Sequence, residues 1–288
     1  MSQRKPSRRA ARVSTHASAI HSDRVPISNV LEAMRSPGLG FERVEHIEGS
    51  TYKDASTVLV VPTRGKYKMV DPNDPEKKEV EIEGLIDRRV VGAWQGLISP
   101  MNQKRAMLFT SGHEVGQAYD AMIQMILAHP ELKNWKYVLT LEDDNLPPPD
   151  AHIRLLESIE KFNYDAVSGL YFTKGPISMP MAYGDPAEYQ RSGVLDFRPR
   201  DVREALAAGQ IMPVNGIAMG CALWKMSLFR EIPAPWYVTL NDYIHGKGTV
   251  GMTQDLSFCR KAREAGKRFA TDMRVKVGHM DVATGIVY

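Results

Sequence analysis

From Thr57 onward, short unbroken apolar runs alternate with segments of helical period, and this alternation restricts the fold more than any other feature. The run "TVLVV" is β-branched and ends at Pro62, as expected of a strand covered on both faces. "DPNDPEKKEVEIEG" reads as an exposed loop or small hairpin, "IDRRVVGAWQGLI" as a helix and "RAMLFTSG" as a second strand. "HEVGQAYDAMIQMILAHP" predicts a helix with Val115, Ala118, Met122, Met125 and Ile126 on one face, stopped by Pro130. Tyr137 to Leu141 is a third strand, the next helix carries Ile153, Leu156, Ile159 and Phe162, and "YDAVSGLYF" is a fourth strand. Repeated βαβ units with right-handed crossovers imply an α/β domain built on a mostly parallel sheet flanked by helices.

After Lys174 the pattern loosens. "GPISMPMAYGDPAEYQ" reads as a long loop, "DVREALAAGQ" as a short helix, and "NGIAMGCALWKMSLFREI" as an irregular segment entering a strand and a helix. A helix from about Gln254 to Ala265 is closed by Gly266, and "RFATDMRVKVGH" follows as a strand.

With 288 residues and 43% hydrophobic content, a single globular unit is expected. The net charge of +3 is concentrated at one end: Arg4, Lys5, Arg8, Arg9, Arg12 and Arg24 face only Asp23. Residues 1–25 read as a disordered basic arm. Its composition is similar to that of a transit peptide but lacks an amphipathic apolar face. The arm has no aromatic side chains, so nucleic-acid contact through it would be phosphate-driven, non-specific and salt-sensitive. Contact with anionic headgroups, or a tail with no partner, remain alternatives. Cys221 and Cys259 lack metal-type spacing and read as buried thiols of a reducing compartment. No apolar run approaches the roughly 18 residues of a membrane span, so a cytoplasmic protein is expected.

The stretch "YVLTLEDDNLPPP" carries a buried-looking strand directly into Glu142, Asp143 and Asp144. Ligands of open parallel sheets bind beyond the carboxyl ends of strands, which is where this triplet falls. Adjacent carboxylates raise one another's pKa unless a cation compensates, so a divalent-metal site is the functional reading. A solvated acidic turn is the plain alternative.

"YVLTLEDDNLPPPDAHIRLLE" resembles the D-x-D region of GT-A-fold glycosyltransferases, the nucleotide-diphospho-sugar transferases. "YDAVSGLYF", "NGIAMGCALWKMSLFREIPAPWY" and "TQDLSFCRKAREAGKRFATDMRVKVGH" resemble that family's following strand, acceptor-side segment and late helix, strand and histidine. The resemblance covers roughly residues 55 to 280 and is to the inverting family-2-type group. It implies a GT-A-like, Rossmann-type sheet, with residues 55–173 holding the nucleotide-sugar and 174–288 the acceptor. It implies a hexosyl- or pentosyltransferase using a UDP-sugar donor, with Mn²⁺ or Mg²⁺ neutralising the departing diphosphate. By the same resemblance Asp144 and His279 ligate the metal, Glu142 and Asp143 contact ribose, sugar or metal-bound water, and Pro62, Thr63 and Arg64 meet the nucleotide. Glu142 stands where the family often has Asp.

Inverting transfer needs a base for the acceptor hydroxyl, and Asp255 matches the family's catalytic carboxylate, with Gln254 replacing the usual preceding Glu. An acid in a helix's first turn is also favoured by the macrodipole alone. Ser111 is a weaker nucleotide-side candidate; Trp224 reads as packing and Trp236 is open between packing and sugar contact. "GKGTVG", Gly246 to Gly251, fits G-x-G-x-x-G formally, but "NDYIH" before it is no buried strand. It reads instead as a flexible lid, with His245 and Lys247 reaching the diphosphate. The acceptor is not legible; a glycan and a modified DNA base both remain open. A sugar-phosphate nucleotidyltransferase and a non-catalytic sugar-nucleotide-binding module are the rival classes, although "VVPTRGKYK" lacks the former's leading glycines.

Overall fold

The structure, a computed structural model, describes residues 54–63, 66–70, 75–76, 79–83, 86–245 and 248–288. The basic arm, Arg64, Gly246 and Lys247 lie outside the described residues. Seven strands form the central sheet: β1 (Thr57–Thr63), β2 (Arg105–Ser111), β3 (Tyr137–Leu141), β4 (Ala166–Leu170), β5 (Ile211–Val214), β6 (Cys221–Lys225) and β7 (Phe269–Lys276). The helices are α1 (Arg88–Gln95), α2 (Val115–Ala128), α3 (Ala151–Lys161), α4 (Pro186–Ser192), α5 (Val202–Ala207), α6 (Met226–Glu231) and α7 (Gln254–Glu264).

The sheet order is β2-β1-β3-β6-β4-β7-β5. β1, β2, β3, β4 and β7 run one way, while β6 is antiparallel to both its neighbours and β5 is antiparallel to β7. The α/β class and mostly parallel sheet expected from the alternation are therefore present. The regular βαβ progression is interrupted, however: β3 and β4 are consecutive in sequence, but β6 enters between them from eighty residues downstream. Its "CALWK" is as apolar as a parallel strand, so composition gives no hint of its direction.

Two apolar layers sandwich the sheet, and each strand feeds both by its two-residue alternation. In β1, Val58 and Val60 join one layer, and Leu59 and Val61 the other. The first layer includes α2, α6 and α7 around Trp224, which is fully buried against Phe229, Tyr237, Phe258 and Phe269. Its indole N–H donates to Thr140 Oγ1 at 3.1 Å, and that hydroxyl donates to Ala222 O. Removing such a ring costs about 3–5 kcal/mol. Trp236 is also a packing residue, 5% exposed with its Nε1 donating to Ile232 O. Cys221 and Cys259 are buried free thiols. The buried Asp272 of β7 is held by Arg274 at 2.9 Å and by the Ser158 hydroxyl at 2.6 Å, so its charge is compensated.

Two helix faces differ from expectation. In α2 the buried stripe is Ala118, Tyr119, Met122, Ile123 and Ile126, while Met125 is 48% exposed. In α3 it is Leu155, Leu156 and Ile159, while Ile153 is 38% exposed. Each helix carries one more apolar residue than its contact face can cover, and the sheet decides which turns outward. The charged segment before α1 forms a hairpin, Lys66–Val70 with Glu79–Glu83. Among the described residues no helix is long and apolar enough to cross a membrane.

His152 joins α3 to the sheet. Thr57 Oγ1 donates to Ala55 O and so accepts from His152 Nε2, while His152 Nδ1 accepts from Ser99. Burial, reinforced by Arg105, pushes the imidazole down to about 4. The unfolded chain takes up this proton near the ordinary histidine value and the folded chain does not, so stability is lost as pH falls from about 6.5 towards 4. Denaturant unfolding should show a loss of roughly 3 kcal/mol across that interval. His152→Gln should flatten that dependence; an unchanged slope would exclude His152 as its source.

Candidate active site

Parallel strands end together, and the loops leaving their carboxyl ends line a common rim. β1, β2, β3 and β4 end at Thr63, Ser111, Leu141 and Leu170. Beyond them lies a cleft of about 300 Å³. Pro62, Thr63, Glu142, Asp143 and Asp144, all candidates from the sequence, line it together with His113, Val115 and Gln254, which were not site candidates. A second cleft, of about 520 Å³, is lined by Thr63, Ile86, Phe109, Thr110 and Ser111. Thr63 belongs to both, and the Phe109 ring, tilted against Trp94 at 6.0 Å, is 53% exposed.

The acids occupy a turn. Asn145 N–H donates to Glu142 O at 3.2 Å, and the buried Tyr119 hydroxyl donates to Leu141 O at 3.1 Å, fixing the strand end from which the turn departs. Asp143 and Asp144 are each 6% exposed. The C-terminal segment is stitched to this turn by backbone pairing of His279 with Asn145 and Gly278 with Leu146, and by Met280 N–H donating to Asp144 O at 2.8 Å. That register, rather than any sequence proximity, brings His279 beside Asp144.

His279 Nε2 lies 3.7 Å from Asp144 Oδ1. Its Nδ1 is 2.7 Å from Phe172 O, and a carbonyl only accepts, so Nδ1 carries the proton. Burial lowers the pKa of the ring, which is therefore neutral at pH 7. The Nε2 lone pair and a carboxylate oxygen then face one another, an arrangement of two acceptors that suits a cation between them. Asp144 Oδ2 accepts from Lys174 Nζ at 2.5 Å.

Burial first, and then the charges of Asp144, Asp255 and Asp143, push Glu142 up to about 8, against a smaller opposing pull from Lys174. Asp255 is buried in the first turn of α7, where the Leu256 N–H and the Thr253 side chain hold it; burial dominates and raises its pKa. α7 reaches the cleft because α2 lacks a side chain at Gly116: a Cβ there would lie 2.6 Å from Tyr237 O and 3.1 Å from Gln254 Cβ. Asp255 does not line the cleft, but its charge acts on Glu142, Tyr171 and Tyr183.

Among the described residues no group of three or more His, Cys, Asp or Glu side chains converges as a metal cluster. Asp144 and His279 form a two-donor set. With metal–ligand bonds near 2.1 Å, a nitrogen and an oxygen 3.7 Å apart can share one small dication, provided substrate phosphates and water complete its shell. The residues present fit that kind of ion and do not form a closed cage.

Ser111 lines the second cleft and His245 is exposed. The glycine-rich segment expected as a lid loop is instead largely a strand, Gly248–Met252, paired antiparallel with Leu240–Ile244. The register runs unbroken from Leu240–Met252 to Ile244–Gly248, so the ladder takes up backbone groups that a loop would leave to water.

No family model matches the chain, and no curated protein matches it. Among solved structures it is similar to A197 from STIV, with 16% identity and a TM-score of 0.48 over 78% of this chain and 86% of that one. It is also similar to GalNAc-T7, solved with UDP, GalNAc and Mn²⁺, with 13% identity and a TM-score of 0.41 over 79% of this chain. The match spans 44% of the GalNAc-T7 chain. At these values neither likeness carries the chemistry of the site.

Without metal, the raised pKa of Glu142 means that the folded state keeps a proton which the unfolded state has released. Stability is then lost as pH rises from the ordinary carboxyl value through about 8. Glu142→Gln, in chelator, should therefore exceed the wild type by about 5 kcal/mol at pH 8.5 and match it near pH 4.5, as read by denaturant unfolding. A constant difference across pH would contradict the assignment.

Proposed function

We propose that the chain is a glycosyltransferase that moves a sugar from a nucleoside-diphosphate sugar to an acceptor hydroxyl, aided by a divalent cation and with inversion. The observation that carries the reading is the pairing of Asp144 and His279 Nε2 across 3.7 Å at the rim of a cleft at the ends of parallel strands. Bound there, a dication would act as a Lewis acid on the diphosphate leaving group. Asp144 and His279 would hold it. Thr63 and the exposed Phe109 face would receive the ribose and base in the second cleft, leaving the diphosphate and sugar over the acids. The chemistry favours this division, because one cleft presents an aromatic ring and hydroxyls and the other presents carboxylates.

Asp255 is the proposed base, accepting the acceptor's proton at a carboxylate oxygen. Its buried setting raises its basicity, which suits a group that must take a proton near neutral pH. Glu142, which holds its proton at pH 7 in the metal-free site, can in that state donate a hydrogen bond to a sugar hydroxyl or phosphate oxygen where an ionised acid would repel it. The donor base is proposed to be uracil.

A panel of UDP- and GDP-sugars with Mn²⁺ should show slow release of nucleoside diphosphate in the absence of acceptor. Asp144→Asn should abolish it, with a loss of about 10³-fold or more for a phosphate-clamping electrostatic contact. Asp255→Asn should reduce transfer by about 10²–10⁴-fold while leaving metal-dependent donor binding intact. Release of pyrophosphate from a nucleoside triphosphate would identify a nucleotidyltransferase instead. Binding without turnover in every combination would leave a binding module.

A further inference from the structure

Lys174 was no part of the sequence-derived site, yet its ammonium lies on the same carboxylate as His279. Its Nζ is 2.5 Å from Asp144 Oδ2, while Oδ1 faces His279 Nε2. The same charge acts on Glu142, His279 and Asp281. The backbone that carries it is fixed. Thr173 N–H donates to Met179 O at 2.9 Å, Met179 N–H to Thr173 Oγ1 at 3.0 Å, and Ser178 Oγ to Thr173 O at 2.6 Å. Gly175 follows at φ +112°, a conformation that side-chain-bearing residues rarely adopt, so the loop doubles back immediately after Lys174. The lysine therefore stands on a closed loop with its side chain still 28% exposed: its stem can swing although its Cα cannot.

We propose that Lys174 is a resident counter-cation, which Asp144 releases when a dication and a diphosphate arrive together, and that the freed ammonium then grips the diphosphate. The inference rests on the reading of Asp144 and His279 as cation ligands given above. Its physical content is competition. An ammonium already on one oxygen of Asp144 repels a dication approaching the other, so the metal alone binds poorly. A diphosphate supplies the ammonium with a new partner and removes that repulsion, so metal and diphosphate each strengthen the other's binding. A lysine serving only to brace the loop would not oppose metal binding, and its removal would leave metal affinity unchanged or weaker.

The test measures Mn²⁺ affinity by the spin-resonance signal of the free ion, and manganese pyrophosphate affinity by calorimetry, on the full chain. Lys174→Met should bind Mn²⁺ alone about tenfold more tightly than the wild type and manganese pyrophosphate about tenfold more weakly. Lys174→Arg, which keeps the charge, should stay within about threefold of the wild type in both. Mn²⁺ affinity in Lys174→Met that is unchanged or weaker, or pyrophosphate affinity that is unchanged, overturns the proposal. Asp144→Asn separates the two levels of inference. If it loses Mn²⁺ while Lys174→Met behaves as the wild type, only the lysine's role falls. If it keeps Mn²⁺, the Asp144–His279 reading falls and this proposal falls with it.

Discussion

Three consecutive carboxylates at the end of a buried strand pose an electrostatic problem that the surrounding structure answers residue by residue. Asp144 is neutralised across space by Lys174 and faces a neutral imidazole, whereas Glu142 holds its proton. The two solutions differ because the positions differ. Asp144 meets a lysine thirty residues along and the C-terminal strand, while Glu142 has other acids around it, Asp255 among them. Like charges in a poorly solvated pocket push one of them to keep its proton, here Glu142, which gives the turn a hydrogen-bond donor beside the carboxylate that Lys174 covers.

That arrangement demands rigid support, and the sheet supplies it. β6, inserted antiparallel between β3 and β4, brings Trp224 against Thr140 just behind the acidic turn, and the aromatic group around Trp224 locks α6 and α7 to the same face. Gly116 lets the start of α2 sit directly against Tyr237 and Gln254, placing the amino end of α7 next to the cleft. A site assembled from six distant stretches keeps its geometry only if the elements beneath cannot slide, and interlocking aromatic packing opposes sliding.

Much of this is legible in the chain. The alternation of "TVLVV", "YVLTL" and "YDAVSGL" with helical segments gives the α/β class, and the switch from apolar strand to acid triplet marks the rim. Other features are not carried by any local pattern. The direction of β6 depends on which slot remains after β3 and β4 are placed. Lys174 looked like an ordinary residue at the start of a loop, because its meaning comes from a contact across thirty positions. His113 and Phe109 lie on the rim for the same topological reason as Glu142, and a stricter use of strand ends would have marked them. Ile153 and Met125 show the converse: hydrophobicity at helical spacing nominates a face, but the neighbouring sheet selects it.

The charge balance of the resting site narrows what can enter. Lys174 offsets Asp144, and Glu142 and His279 are neutral at pH 7, so these four groups contribute little excess charge and the Asp143 carboxylate is left beside them. A lone dication would sit beside the Lys174 ammonium and be repelled by it, and a lone diphosphate would meet Asp143 and Asp144 with only one lysine to face it. A dication and a doubly charged diphosphate entering together bring no net charge, and each supplies the partner that the other's arrival displaces. Under the proposed function, an acidic rim with one partly exposed lysine would thus be better matched to a metal–diphosphate pair than to either component alone, on the placement of Lys174, Asp144 and His279.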